Sequence, residues 1–171
     1  MTAMMRQIHK QTLTMAAGLL AILAVALLTP AATANGLVTT VVTDPLTGVA
    51  FDGMDPVSYF TDTTPEAGKP DFEYDWKGVP WYFSTAANRD VFIRSPDVYA
   101  PQFGGHCTMS LSRGYLSDGN PQIYVVIAGR LFVFYSIANR DAFLLSPGPA
   151  IKDAASRWTE LSKQLATSVT P

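Results

Sequence analysis

A 20-residue stretch of this chain occurs twice. KGVPWYFSTAANRDVFIRSP at 77–96 aligns without a gap to AGRLFVFYSIANRDAFLLSP at 128–147, an offset of 51 residues, with nine identical positions. The identities fall on structural punctuation and bulk: Gly78/Gly129, Phe83/Phe134, Phe92/Phe143, the Ala-Asn-Arg-Asp runs and the closing Ser-Pro. Whatever the first copy folds into, the second must fold into as well. A β-rich run (72–76 or 123–127) reaches a turn at Lys77-Gly78 or Ala128-Gly129, and an aromatic strand returns over Trp81–Phe83 or Leu131–Tyr135. That pattern predicts a hairpin. Thr85 or Ser136 then offers an N-cap oxygen to a helix that ends before Ser-Pro. Two copies are too few for a solenoid, so they are expected to pack against each other around one core.

Beyond the second copy, Pro147-Gly148-Pro149 ends one helix and starts another. Ile151, Ala154, Trp158, Leu161 and Leu165 recur at three and four residues, the pattern of an amphipathic helix facing a core. The fold class expected is therefore α+β: a small single domain of two duplicated β-hairpin–helix units plus a C-terminal amphipathic helix.

The N-terminus reads as an address. Arg6 and Lys10 precede an uncharged Leu/Ala run over Leu13–Leu28, and Pro30 and Ala32-Thr33-Ala34 follow. A basic start, a short apolar run and a small-x-small site describe a secretory signal peptide over 1–34, cleaved near Ala34-Asn35. The run is too short for a spanning helix, which needs about 20 residues. The expectation is thus a periplasmic or secreted protein with no stable membrane insertion after cleavage. Residues 35–48, Val/Thr-rich with Asp44-Pro45 and Thr47-Gly48, read as an extended entry segment. The main domain is expected over 49–166, with a loose tail over 167–171. Removing 1–34 lowers Lys+Arg from 12 to 10 and leaves Asp+Glu at 14, a formal charge of −4. A mildly acidic domain with no basic run is a poor nucleic-acid binder. One Cys, Cys107, one His, His106, and two Met, Met54 and Met109, remain in the mature chain.

FDGMDPVSYF (51–60), YDWKGVPWYFSTAANRDVFIRSPDVYAPQFGGHC (74–107) and the later hairpin resemble the YHS domain family, in its exported bacterial branch. The resemblance runs in order from about Val49 to Trp158. It implies a small metal-associated domain, with copper as the expected ion. This chain departs from the metal-type pattern where further cysteines stand. Ser58, Ser84 and Asn88 occupy those positions, Met54 stands where Tyr or His is common, and His106 where Tyr is common.

Thiolate and thioether suit Cu(I), and imidazole suits either copper state. Cys107, His106, Met54 and Met109 are accordingly the candidate metal ligands, with Met54 the first choice of partner for Cys107. Asp55 is a candidate to orient His106. Adjacent residues on a strand point to opposite faces. Gly104-Gly105 is therefore expected to bend the chain or to start a helix over roughly 105–112, with Cys107 in its first turn. Three readings stay open for Cys107: a metal ligand, a buried packing group in a structural or interaction module that has lost the family's cysteines, or a redox-sensing thiol. No enzyme is expected, because a nucleophile paired with the only His would have its own neighbour as base. The expected partners are a metal ion or another exported protein.

Overall fold

Two antiparallel hairpins carry the duplication. The structure, a computed structural model, describes residues 40–167. The expected signal segment and residues 168–171 of the expected tail lie outside them, as do 35–39 of the entry segment. Strands β1 (Lys69–Trp76) and β2 (Val79–Phe83) pair around Trp76↔Val79, and β3 (Asn120–Ile127) and β4 (Arg130–Phe134) around Ile127↔Arg130. Each two-residue turn has positive φ at both positions, Lys77-Gly78 and Ala128-Gly129. That handedness matches the twist of the flanking strands. The register slips at the same step in both hairpins, between Lys69 and Glu73 and between Asn120 and Tyr124.

Helices follow each hairpin. A four-residue helix, α1 (Ser58–Thr61), precedes the first hairpin, and α2 (Ala86–Arg94) and α3 (Pro96–Tyr99) follow it. In the second half α4 (Thr108–Ser112) precedes the hairpin, and α5 (Ile137–Leu145) and α6 (Pro147–Thr167) follow it. Thr85 caps α2 by accepting from Asn88 N–H at 3.1 Å, and Ser136 caps α5 from Asn139 N–H at 3.3 Å. Ser95 and Ser146 break the chain between helices with nearly the same backbone angles. The long last helix starts at Pro147 itself. Its prolines fall in the first turn, where a missing N–H costs nothing.

The equivalence reaches further upstream than the aligned stretch. The Gly53 carbonyl accepts from Gly68 N–H at 2.8 Å and Asp55 N–H donates to the Glu66 carbonyl at 2.9 Å. In the second half the Gly105 carbonyl accepts from Gly119 N–H at 3.0 Å and Cys107 N–H donates to the Ser117 carbonyl at 2.9 Å. Isolated bridges join Met54 to Ala67 and His106 to Asp118. Left-handed turns, Phe51-Asp52-Gly53 and Phe103-Gly104-Gly105, lead into both. By this register Met54 matches His106, and Asp55 matches Cys107.

The same geometry corrects the expected helix over 105–112. Gln102–Gly105 is a short 3-10 turn, His106 and Cys107 are extended, and α4 begins only at Thr108. A run of left-handed residues cannot continue into a right-handed helix, so the chain straightens first.

Each half has an aromatic centre at the same steps. Phe83 and Phe92 stack at 5.1 Å between ring centroids, and Phe134 and Phe143 at 4.9 Å. Trp81–Phe92 at 5.4 Å is repeated as Phe132–Phe143 at 5.6 Å. The first centre belongs to a cluster with Val41, Phe51, Val57 and Tyr59, the second to one with Cys107 and Ala150. Arg89–Asp90 and Arg140–Asp141 are surface ion pairs at 3.2 and 3.0 Å. Such exposed pairs add little stability.

Phe83→Ala and Phe134→Ala should each cost about 3–5 kcal/mol in denaturant unfolding, since both delete fully buried rings. Ala128 holds φ +50° in its turn. Ala128→Asn should relieve that strain and stabilise the fold by about 1 kcal/mol.

Candidate functional site

The two matched positions, Asp55 and Cys107, sit at the centres of the two halves and solve the same packing problem with different chemistry. Asp55 is fully buried. Its Oδ2 accepts from Ser84 N–H at 2.8 Å, Ser84 Oγ–H at 2.7 Å and Asn88 Nδ2–H at 2.7 Å. Oδ1 accepts from Val57 N–H at 2.9 Å, and the Asp55 carbonyl accepts from Ser58 Oγ–H at 2.7 Å. A buried carboxylate is tolerated only when hydrogen bonds replace its hydration, and here four donors do so. Ser58, Ser84 and Asn88 come from three separate segments of the first half. They converge on Asp55 rather than on an ion.

Cys107 is 0% exposed and packs with Phe132, Phe134 and Phe143. Its Sγ accepts one weak hydrogen bond, from Asn139 Nδ2–H at 3.5 Å. Asn139 is the counterpart of Asn88, so each half sends the same helix-capped asparagine to its central group. In turn Asn139 Oδ1 accepts from Arg113 Nη1–H at 3.2 Å. Where the first half has Ser84, the second has Tyr135, which is exposed. No side-chain hydroxyl therefore reaches the thiol from that position.

The candidate ligands are spread over both packing clusters. Met54 packs against the first cluster with Sδ 3.6 Å from Gln122 Nε2, whereas Cys107 belongs to the second. Met109 packs against the second cluster, and its Sδ accepts from Ser112 Oγ–H at 3.5 Å. His106 is only 6% exposed, and its ring lies against Trp158 at 5.4 Å. Asp55 does not orient His106, because its acceptors are spent within the first half. The carboxylate facing His106 is Asp118, with Oδ1 3.5 Å from Nδ1. Both ring nitrogens lack a hydrogen-bond partner, as does the Thr108 hydroxyl. Among the described residues no three His, Cys, Asp or Glu side chains come together as a metal-holding group.

Burial holds the His106 pKa below its usual value near 6.5, against the pull of Asp118 and of the Ser117 carbonyl. Burial also pushes the Tyr59 phenol well above its usual range. That phenol donates to the Pro121 carbonyl at 2.9 Å, tying the first cluster to β3. Asp118, and the Asp55 partners Ser84 and Asn88, escaped the sequence reading as site residues. Only the repeated Asn88/Asn139 could have signalled the second pair.

Comparison with protein-family profiles, with curated proteins and with solved structures finds no match.

Two outcomes follow from this geometry. Asp55→Ala leaves four donors facing a cavity and should cost at least about 3 kcal/mol, whereas Cys107→Ala should cost about 1 kcal/mol. Unfolding of the two variants side by side measures the difference. The depressed His106 pKa means the unfolded chain binds this proton more readily. Its contribution to stability is therefore full above pH 6.5 and is lost as pH falls from there through the lower folded value. His106→Gln should flatten that part of the stability–pH profile.

Proposed function

We propose that this chain is an exported, non-enzymatic module of the YHS type in which hydrogen bonding has replaced metal binding, so that it acts as a structural or interaction domain. The observation carrying this reading is the Asp55 centre. Ser58, Ser84 and Asn88, at the positions of the family's cysteines, all donate to Asp55. A site that would be closed by metal–thiolate bonds is closed instead by oxygen acceptors and N–H and O–H donors. Cys107, the one thiol left, is enclosed by aromatic side chains in the half of the domain that does not contain those positions.

The copper reading has one observation in its favour. His106, next to Cys107 in the chain, is buried with Asp118 3.5 Å from Nδ1 and no close hydrogen bond at either ring nitrogen, and imidazole is a copper ligand. Against it, Met54 and Cys107 belong to separate clusters. Export rests on the signal pattern over 1–34 alone.

Titration of the untagged chain with Cu(I), in competition with a chromogenic chelator, decides between the two. The module reading expects no tight stoichiometric binding and no difference between wild type and Cys107→Ser. One-to-one binding that Cys107→Ser abolishes would return the protein to the metal-binding class.

A further inference from the structure

All three tryptophans of the chain line one cleft of about 430 Å³, bounded by the β1–β2 turn, α3, the 100–104 connection and α6. Trp81 lies at its floor, 1% exposed, its indole N–H donating to the Trp76 carbonyl at 3.1 Å. Trp76 and Trp158 are half-buried and leave part of their rings to solvent. The volume falls in the range of small-molecule sites, which are concave, aromatic-walled and carry a few polar groups.

The duplication separates this cleft from the packing frame. Where the frame is concerned the halves agree: Gly78/Gly129, Phe83/Phe134, Phe92/Phe143. At four positions of the cleft they disagree, the second half holding a smaller or uncharged side chain. Trp76 is answered by Ile127, Lys77 by Ala128, Trp81 by Phe132 and Asp97 by Gly148. The two hairpin indoles are thus confined to one of two equivalent places, although Ile and Phe suffice for packing at the other.

The polar groups define the ligand. Lys77 Nζ lies 4.1 Å from the Trp76 ring centroid and 3.9 Å from Asp97 Oδ1, so the charged rim is balanced and gives no net pull on an ion. The other polar side chains are neutral: the Gln102 amide and the Thr40 and Ser162 hydroxyls. Indole faces carry partial negative charge and attract weakly positive C–H groups. Lys77 already covers the Trp76 ring and Trp81 is buried, so the half-buried Trp158 is the indole open to a ligand. One available indole, Trp158, with a neutral hydrogen-bonding rim and a balanced pair of charges, suits a ring with one C–H face and a hydroxyl edge. We infer that the cleft binds a neutral saccharide ring. The inference is independent of the fate of the metal.

Intrinsic fluorescence reads this site directly, since the chain has no tryptophan elsewhere. The intact chain is titrated with maltose and with N-acetylglucosamine. The expected result is a saturable change with a millimolar Kd for at least one sugar. Ser162→Phe, which fills the mouth from α6, and Gln102→Ala, which removes an amide from the rim, should each weaken binding at least about tenfold. Their thermal transitions should match wild type, and either variant suffices if the other misfolds. A flat response to both sugars, or a saturable one that the folded variants leave unchanged, overturns the proposal.

Discussion

The carboxylate of Asp55 fixes how the first half of the domain is put together. It receives donors from the turn at Val57, from the end of β2 at Ser84 and from the first turn of α2 at Asn88. Those three contacts set where helix α2 leaves its hairpin, and hence where Phe92 meets Phe83 and Trp81. A buried carboxylate has few arrangements that satisfy it, so it imposes one geometry on the segments around it. The first cluster, with Phe83, Phe92 and Trp81 at its centre, packs beside that placement.

The second half keeps the backbone of this device and changes its centre. Cys107 takes the place of Asp55, and one asparagine contact takes the place of four donors. A thiol is small, nearly apolar and content in an aromatic environment. The second centre therefore holds mainly by the packing of Phe132, Phe134 and Phe143, and the long helix α6 covers it through Ala150 and Ile151. The two halves divide the labour: polar specification in the first, apolar packing in the second. Packing among these rings accounts for the buried position of the lone cysteine.

Much of the fold was legible because the repeated segment 77–96/128–147 has no insertion and its identities fall on the turn glycine, the core phenylalanines and the cap asparagines. Hairpins, helices and the stripe of α6 could all be read from it. The upstream half of the repeat was not legible. Between Ser58 and Gly68 there is one residue more than between Ser110 and Gly119, and the matched side chains there are chemically unlike, Met54 with His106 and Asp55 with Cys107. Backbone hydrogen bonds, not side chains, carry that equivalence. Residue type suggested that Met54 and Asp55 would serve Cys107 and His106; the backbone register makes the two pairs counterparts in the two halves. The left-handed turn at Phe103 was invisible for a related reason, since a phenylalanine rarely adopts positive φ.

The central claim is that Cys107 is a core group equivalent to Asp55 and out of reach of reagents while the domain is folded. The rate at which the native chain reacts with a thiol-specific disulfide reagent, followed across a denaturant series, measures this directly. The account predicts that Cys107 is silent in buffer and becomes reactive only along the global unfolding transition, with the same denaturant dependence. Stoichiometric reaction of the folded domain in buffer, without loss of its tryptophan signal, would contradict it.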